Sequence, residues 1–178
     1  MSHSTWDYMP PETRGDLVLA WIRRARESQF AHYIQATKFR RSGYWLGVPV
    51  IVITTAVGTA YFYSLSAHNE SSSGNILIGL VSILAAVLSS LQTFLKFPEK
   101  SECHRKFGAL YGSIRRRLEQ VYAERGDVDI SHDILENLNS ELSRLAEEAP
   151  DVPSKALKIA QENIRKLRDA GSSKVIRQ

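Results

Sequence analysis

Charged side chains disappear from the middle of this chain. Residues 42–67 contain no Asp, Glu, Lys, Arg or His, and neither do residues 71–95. A helix rises about 1.5 Å per residue, so about 20 apolar residues cross a hydrocarbon core of about 30 Å. Both stretches reach that length, whereas a soluble helix seldom runs six turns without a charged face. The pattern predicts a transmembrane hairpin, with spans over 44–65 and 75–97 and a short polar connector at 66–74.

Outside the spans the periodicity is that of amphipathic helices. Ahead of the hairpin, within residues 1–43, Val18, Trp21, Ile22, Ala25, Gln29, Tyr33 and Ala36 share one face. Ser42 and Gly43 are expected to loosen this helix before the membrane. Beyond Pro98, residues 98–178 predict three further helices. The first carries the stripe Phe107, Leu110, Tyr111, Ile114 and Leu118 and ends at Gly126. The second starts at Asp129 or Ser131, carries Ile134, Leu135, Leu138, Leu142 and Leu145, and closes before Pro150. The third begins near Pro153 and Ser154, carries Ala156, Leu157, Ala160, Ile164 and Leu167, and stops at Gly171. Strands have almost no support. The expected class is an all-α membrane protein, a two-helix hairpin whose cytoplasmic amphipathic helices form a bundle or meet another copy.

Charge orients the hairpin. The net charge is +4 and the sequence pI is near 9.3, a balance that nucleic-acid binders share. The cations, however, flank the charge-free stretches: Lys38, Arg40 and Arg41 precede the first, and Lys96 and Lys100 follow the second. The connector has one Glu and no Lys or Arg. This is the positive-inside distribution. It predicts cytoplasmic termini, an outer tip and contact with anionic headgroups, not nucleic acid. Tyr44 and Trp45 at one boundary, with Tyr61, Phe62 and Tyr63 at the other, fit interfacial aromatic belts. Pro49 removes one backbone donor early in the first span, which membrane helices tolerate. The apolar run begins too late and runs too long for a secretory signal, so the first span is expected to direct insertion. The single cysteine, Cys103, forms no intrachain disulfide and fits a reducing cytoplasm.

Catalytic and metal chemistry find little purchase. Cys103 and His104 are adjacent, which points them about 100° apart on a helix, without the spacing of a zinc site. Cys103 reads as a small packing residue. His32 and His132 have no local acidic or cysteine partner and read as solvated or satisfied histidines. Asp127 and Asp129 are explained by helix capping. No phosphate-binding loop or nucleophile elbow occurs. No enzymatic activity, cofactor or metal is expected.

The more informative constellation lies within the spans. Asn75, Gly79, Ser82, Ala86, Ser89 and Thr93 recur every three or four residues as a seam of small or weakly polar side chains. The first span carries a weaker counterpart through Gly47, Thr54 and Gly58. In lipid, helix association relies on close backbone approach and on hydroxyls bonding across, since apolar burial drives little. Two readings remain open: the seams pack the hairpin's own helices, or part of this surface faces a central axis in an oligomer and lines a water-filled path. Neither span has an ionisable residue at membrane depth, which disfavours proton relays and voltage sensing. Two helices cannot enclose a pathway, so conduction would require several copies and be poorly selective.

Several stretches resemble the SLATT family, the two-transmembrane effector domain associated with SMODS nucleotidyltransferases and SLOG domains in bacteria. They are Phe30-Ala31-His32-Tyr33, Tyr44-Trp45-Leu46-Gly47-Val48-Pro49 running into Thr54-Thr55-Ala56-Val57-Gly58, and Leu91-Gln92-Thr93-Phe94-Leu95. His104-Arg105-Lys106-Phe107-Gly108-Ala109-Leu110-Tyr111 and Ala149-Pro150-Asp151-Val152-Pro153 complete the match, which covers about residues 15–170. The resemblance implies a membrane effector of antiphage or nucleotide-linked conflict systems that perforates or depolarises the bacterial inner membrane. It also implies a trigger from a separately encoded nucleotidyltransferase or sensor protein, or from its nucleotide product. No catalytic residues carry over. The expected role is therefore a homo-oligomeric pore in the lipid bilayer. The alternative is a non-conducting membrane scaffold that recruits a partner through its cytoplasmic helices.

Overall fold

The computed structural model describes residues 10–67, 72–124 and 130–175, and within these every regular element is a helix. They are α1 (Arg14–Ala67), α2 (Ser72–Leu95), α3 (Phe97–Glu124), α4 (His132–Glu148) and α5 (Ser154–Val175). The chain divides into two compact units, one formed by residues 1–35 with 103–178 and the other by residues 36–102. The expected helix stop at Gly126, Asp127 and Asp129, and the tip at 68–71, lie outside the described residues.

Three boundaries differ from expectation. Ser42 and Gly43 do not interrupt α1, which continues through Pro49 to Ala67. Serine and glycine only lower helix propensity, by about 1 kcal/mol for glycine, and packing on a neighbour overrides that. The second apolar helix ends at Leu95, two residues early. Lys96 turns the chain with a φ of 48°, an αL cap of the kind that usually falls to glycine. Pro98 then occupies the first turn of α3, where its missing donor costs nothing. Within α3, the Ser101 hydroxyl donates to the Ala36 carbonyl at 2.9 Å. Finally, α5 continues past Gly171. At the other end of that segment, α4 stops where the Ala149 N–H reaches the Leu145 carbonyl and Pro150 follows.

In the unit of residues 1–35 and 103–178, the N-terminal part of α1 packs with α3, α4 and α5. Val18, Ile114 and Leu118 are fully enclosed, joined by Ala25, Phe107, Tyr111, Leu135, Leu138 and Leu145. The stripes are narrower than expected. Leu110, Ile134, Leu157 and Leu167 are exposed, and α5 buries its small Ala156 and Ala160 instead. Alanines admit close approach, so the bulkier neighbours on α5 remain at the edge.

Two glycines set how near α3 comes to α1. A methyl group at Gly108 would stand 3.1 Å from the Tyr33 ring, and one at Gly112 would stand 2.7 Å from Gln29 Nε2. Gln29 in turn accepts from Arg115 Nε at 3.1 Å. The Gly108–Gly112 spacing of four is thus the small-residue contact of this unit's core.

The unit of residues 36–102 is built differently. Gly47 of α1 faces Gln92 of α2, and Gly43 faces Phe97, so the helices run antiparallel. Ala36, Val50 and Ala85 are its buried apolar side chains among the described residues. Most large side chains, among them Ile51, Val52, Leu80, Ile83 and Phe94, are exposed. By length and composition two helices are suited to cross a membrane, and their apolar windows are only 11% and 6% buried. A core helix of a water-soluble protein would be mostly buried.

Candidate functional site

The small-residue seam is the first candidate. On α2 the residues turned toward α1 are Ile78, Val81, Ala85, Leu88 and Gln92, all but Gln92 at least partly buried. The predicted seam of Gly79, Ser82, Ala86, Ser89 and Thr93 lies one residue further at every step, about 100° round the helix. Each of these five is exposed, and a methyl at Gly79 would meet nothing within 4 Å. The seam therefore does not pack the two apolar helices of one chain together. Larger residues do that, with Gly47 supplying the close approach. Of the α1 counterpart, Gly47 is buried against Gln92, Thr54 is exposed, and Gly58 is half-buried with nothing within 4 Å of its missing methyl. Asn75 lies in α2, with its side chain outside the described residues.

Three hydroxyls on this surface bond to their own helix. Ser82 Oγ donates to the Ile78 carbonyl at 2.8 Å, Thr93 Oγ1 to that of Ser89 at 3.1 Å, and Thr54 Oγ1 to that of Val50 at 2.8 Å. Such back-bonding satisfies these three donors without a partner from another helix.

At one end of the apolar pair, Lys38, Arg40, Arg41, Lys96 and Lys100 are all exposed. Lys100 Nζ stands 6.0 Å from the centre of the Phe39 ring, which neighbours Phe97 at 6.3 Å. Tyr44, Trp45, Tyr61, Phe62 and Tyr63 are more than half exposed. Trp45 and Phe62 are about 25 Å apart along a straight helix, close to the height of a hydrocarbon core.

The second candidate joins residues far apart in the sequence. His32, expected to be a solvated or satisfied histidine, and His104 are buried together at 3% and 5% exposure. Their Nδ1 atoms are 3.0 Å apart. A neutral imidazole has one N–H and one lone pair, so this bond requires opposite tautomers and holds one proton between the rings. The Tyr111 ring stacks on His32 at 5.5 Å and Phe107 lies at 6.0 Å. Burial, and then the charge of His104, lower the His32 pKa from 6.5 to about 4. Burial also lowers that of His104 and raises that of the Tyr111 phenol. The pair is neutral at neutral pH, and it pins α1 to α3. A sequence signal existed: His32 falls on the face of Ala25, Gln29 and Ala36, and His104 one turn before Phe107.

Beside the pair is a cavity of about 260 Å³ whose lining includes Ser28, His32, Tyr111, Asp151 and Leu157. Residues 149–152 form part of it, so three of the family-like stretches meet here. Cys103 points outward and is not the packing residue expected of it. His132 is exposed. Among the described residues, no three His, Cys, Asp or Glu side chains gather as a metal site. Comparison with protein-family models, curated proteins and solved structures finds no match for this chain.

Proposed function

We propose that this chain is a homo-oligomeric membrane effector. Residues 44–65 and 75–97 insert in a bacterial inner membrane with both termini cytoplasmic, and several copies enclose a poorly selective pore. What supports the reading most is the α2 seam, whose small residues face away from α1 and leave a surface suited to a further helix. The apolar helices with their flanking cations and aromatic belts are consistent with it. Assignment to the SLATT family, with a role in antiphage defence and a trigger from a separately encoded nucleotidyltransferase, sensor or nucleotide, belongs to the same proposal and rests on the motif stretches alone.

Reconstitution in planar bilayers tests it. The purified protein is expected to run as an oligomer in detergent and to conduct. Gly79→Leu combined with Ala86→Leu should dissociate the oligomer, because close helix approach tolerates no bulk there. Ser89→Trp should alter conductance. Absence of conductance from an intact oligomer sinks the pore. Retained activity after exchanging both spans for an unrelated hairpin would instead favour a scaffold.

A further inference from the structure

Four arginines line one groove in the unit formed by residues 1–35 and 103–178. Arg23 and Arg26 come from α1, and Arg165 and Arg168 from α5, each pair at a spacing of three that places both on one helix face. The groove measures about 690 Å³, and Leu19, Ile22 and Ile164 supply apolar lining. Its two carboxylates are already engaged. Glu27 takes Arg23 Nε at 3.3 Å and Gln161 Nε2 at 2.9 Å, and Glu162 takes Lys166 Nζ at 2.9 Å. The Lys166 ammonium holds the Glu162 carboxyl below its usual range, and the Arg165 charge adds to this against the opposing effect of burial. Arg168 pairs with Asp169 at 3.7 Å. Arg26 is half-buried and makes no ion pair among the described residues.

Arg23, Arg165 and Arg168 are exposed, and like charges brought to one groove from two helices raise a positive potential there that favours an anion. Guanidinium forks from two helices match phosphoryl oxygens in bidentate geometry, and an apolar lining suits an organic body attached to the phosphate. The volume lies in the range of small-molecule sites, about 300–1,000 Å³. We infer that the groove between α1 and α5 binds an organic phosphate, its phosphoryl groups held by Arg26 and Arg165 with Arg23 and Arg168 beside them. Bound there, the ligand would clamp α5 to α1. The inference depends on the effector reading only for its consequence, since binding is measured without reference to conduction.

The test uses the full chain in detergent, with ATP and tripolyphosphate as probes in titration calorimetry. Saturable ATP binding is expected, with tripolyphosphate competing more weakly because it lacks the organic body. Arg26→Ala and Arg165→Ala should each weaken ATP binding about tenfold, the scale of one charge-assisted bond. Arg26→Lys should recover part of the loss, and Arg24→Ala, outside the groove, should leave affinity within about twofold. Helical circular dichroism and the elution volume of each variant report its folding. Three results overturn the inference: no saturable binding of either probe, equal weakening by Arg24→Ala, or tripolyphosphate binding as tightly as ATP. A fourth is binding only to vesicles containing phosphatidylglycerol, with neither soluble phosphate competing, which assigns the arginines to a membrane surface.

Discussion

The two units solve the same helical packing problem with opposite residues. In residues 1–35 with 103–178, the largest enclosed side chains are Ile114, Leu118 and Val18, and charges lie outside. In residues 36–102, Gly47 and Ala85 are among those inside, and Ile51, Leu80, Ile83 and Phe94 lie outside. Burial of apolar area stabilises the first arrangement by about 25 cal/mol per Å². That term vanishes where the surroundings are themselves hydrocarbon, and close backbone contact is left to hold helices together. The difference is the one expected if the second unit, as proposed, lies in lipid and the first in water.

The sharpest way to break the contrast is to delete the same side chain in both units. Leu118→Ala, at 0% exposure, should cost about 4 kcal/mol through lost transfer energy and a residual cavity. Leu80→Ala, on an exposed face, should stay within about 0.5 kcal/mol. Thermal unfolding in detergent compares them, and equal losses would mean that Leu80 is buried in an interface or that the units share a solvent.

A somewhat smaller effect comes from pH. The His32 pKa is lower in the folded chain than in the unfolded one, so the unfolded state binds more protons below pH 6.5. Its contribution is fully present above pH 6.5 and is lost as pH falls toward 4. Protonation also places like charges on rings whose nitrogens are 3.0 Å apart, and His104 shifts in the same direction. The unit should lose about 3 kcal/mol across that window. Unfolding midpoints between pH 7 and pH 4 read the loss, and His32→Gln should flatten the slope. An unchanged slope would show that the pair does not titrate this way.

The least effect belongs to the surface. Arg117 and Glu141 join α3 to α4 through an exposed ion pair. Glu141→Gln should lower stability by less than about 1 kcal/mol, and less still in high salt. A loss above about 2 kcal/mol would make this contact part of the core rather than its rim.

Much of the architecture was legible along the chain. Helices announce themselves by period, and Phe107, Tyr111, Ile114 and Leu118 fell inside as the stripe required. Boundaries were less legible, because Ser42, Gly43 and Gly171 carry only weak propensity penalties against the packing of neighbours. The seam was legible as a pattern but not as a direction. A rotation of one residue separates Ala85, which is buried, from Ala86, which is exposed. Small side chains of similar volume give no local cue to choose between these faces.

The arrangement of charge and hydropathy determined that the chain is helical, that two of its helices are long and apolar enough to cross a membrane, and that the rest are amphipathic. These are local properties, set by side chains a few residues apart. Only the tertiary structure decided that His32 meets His104 across 72 positions, that Gly108 and Gly112 admit Tyr33 and Gln29, and that four arginines share one groove. Such contacts depend on the rotation of one helix about its axis relative to another. That rotation is fixed by the sum of many packing energies, and no short stretch of sequence encodes it.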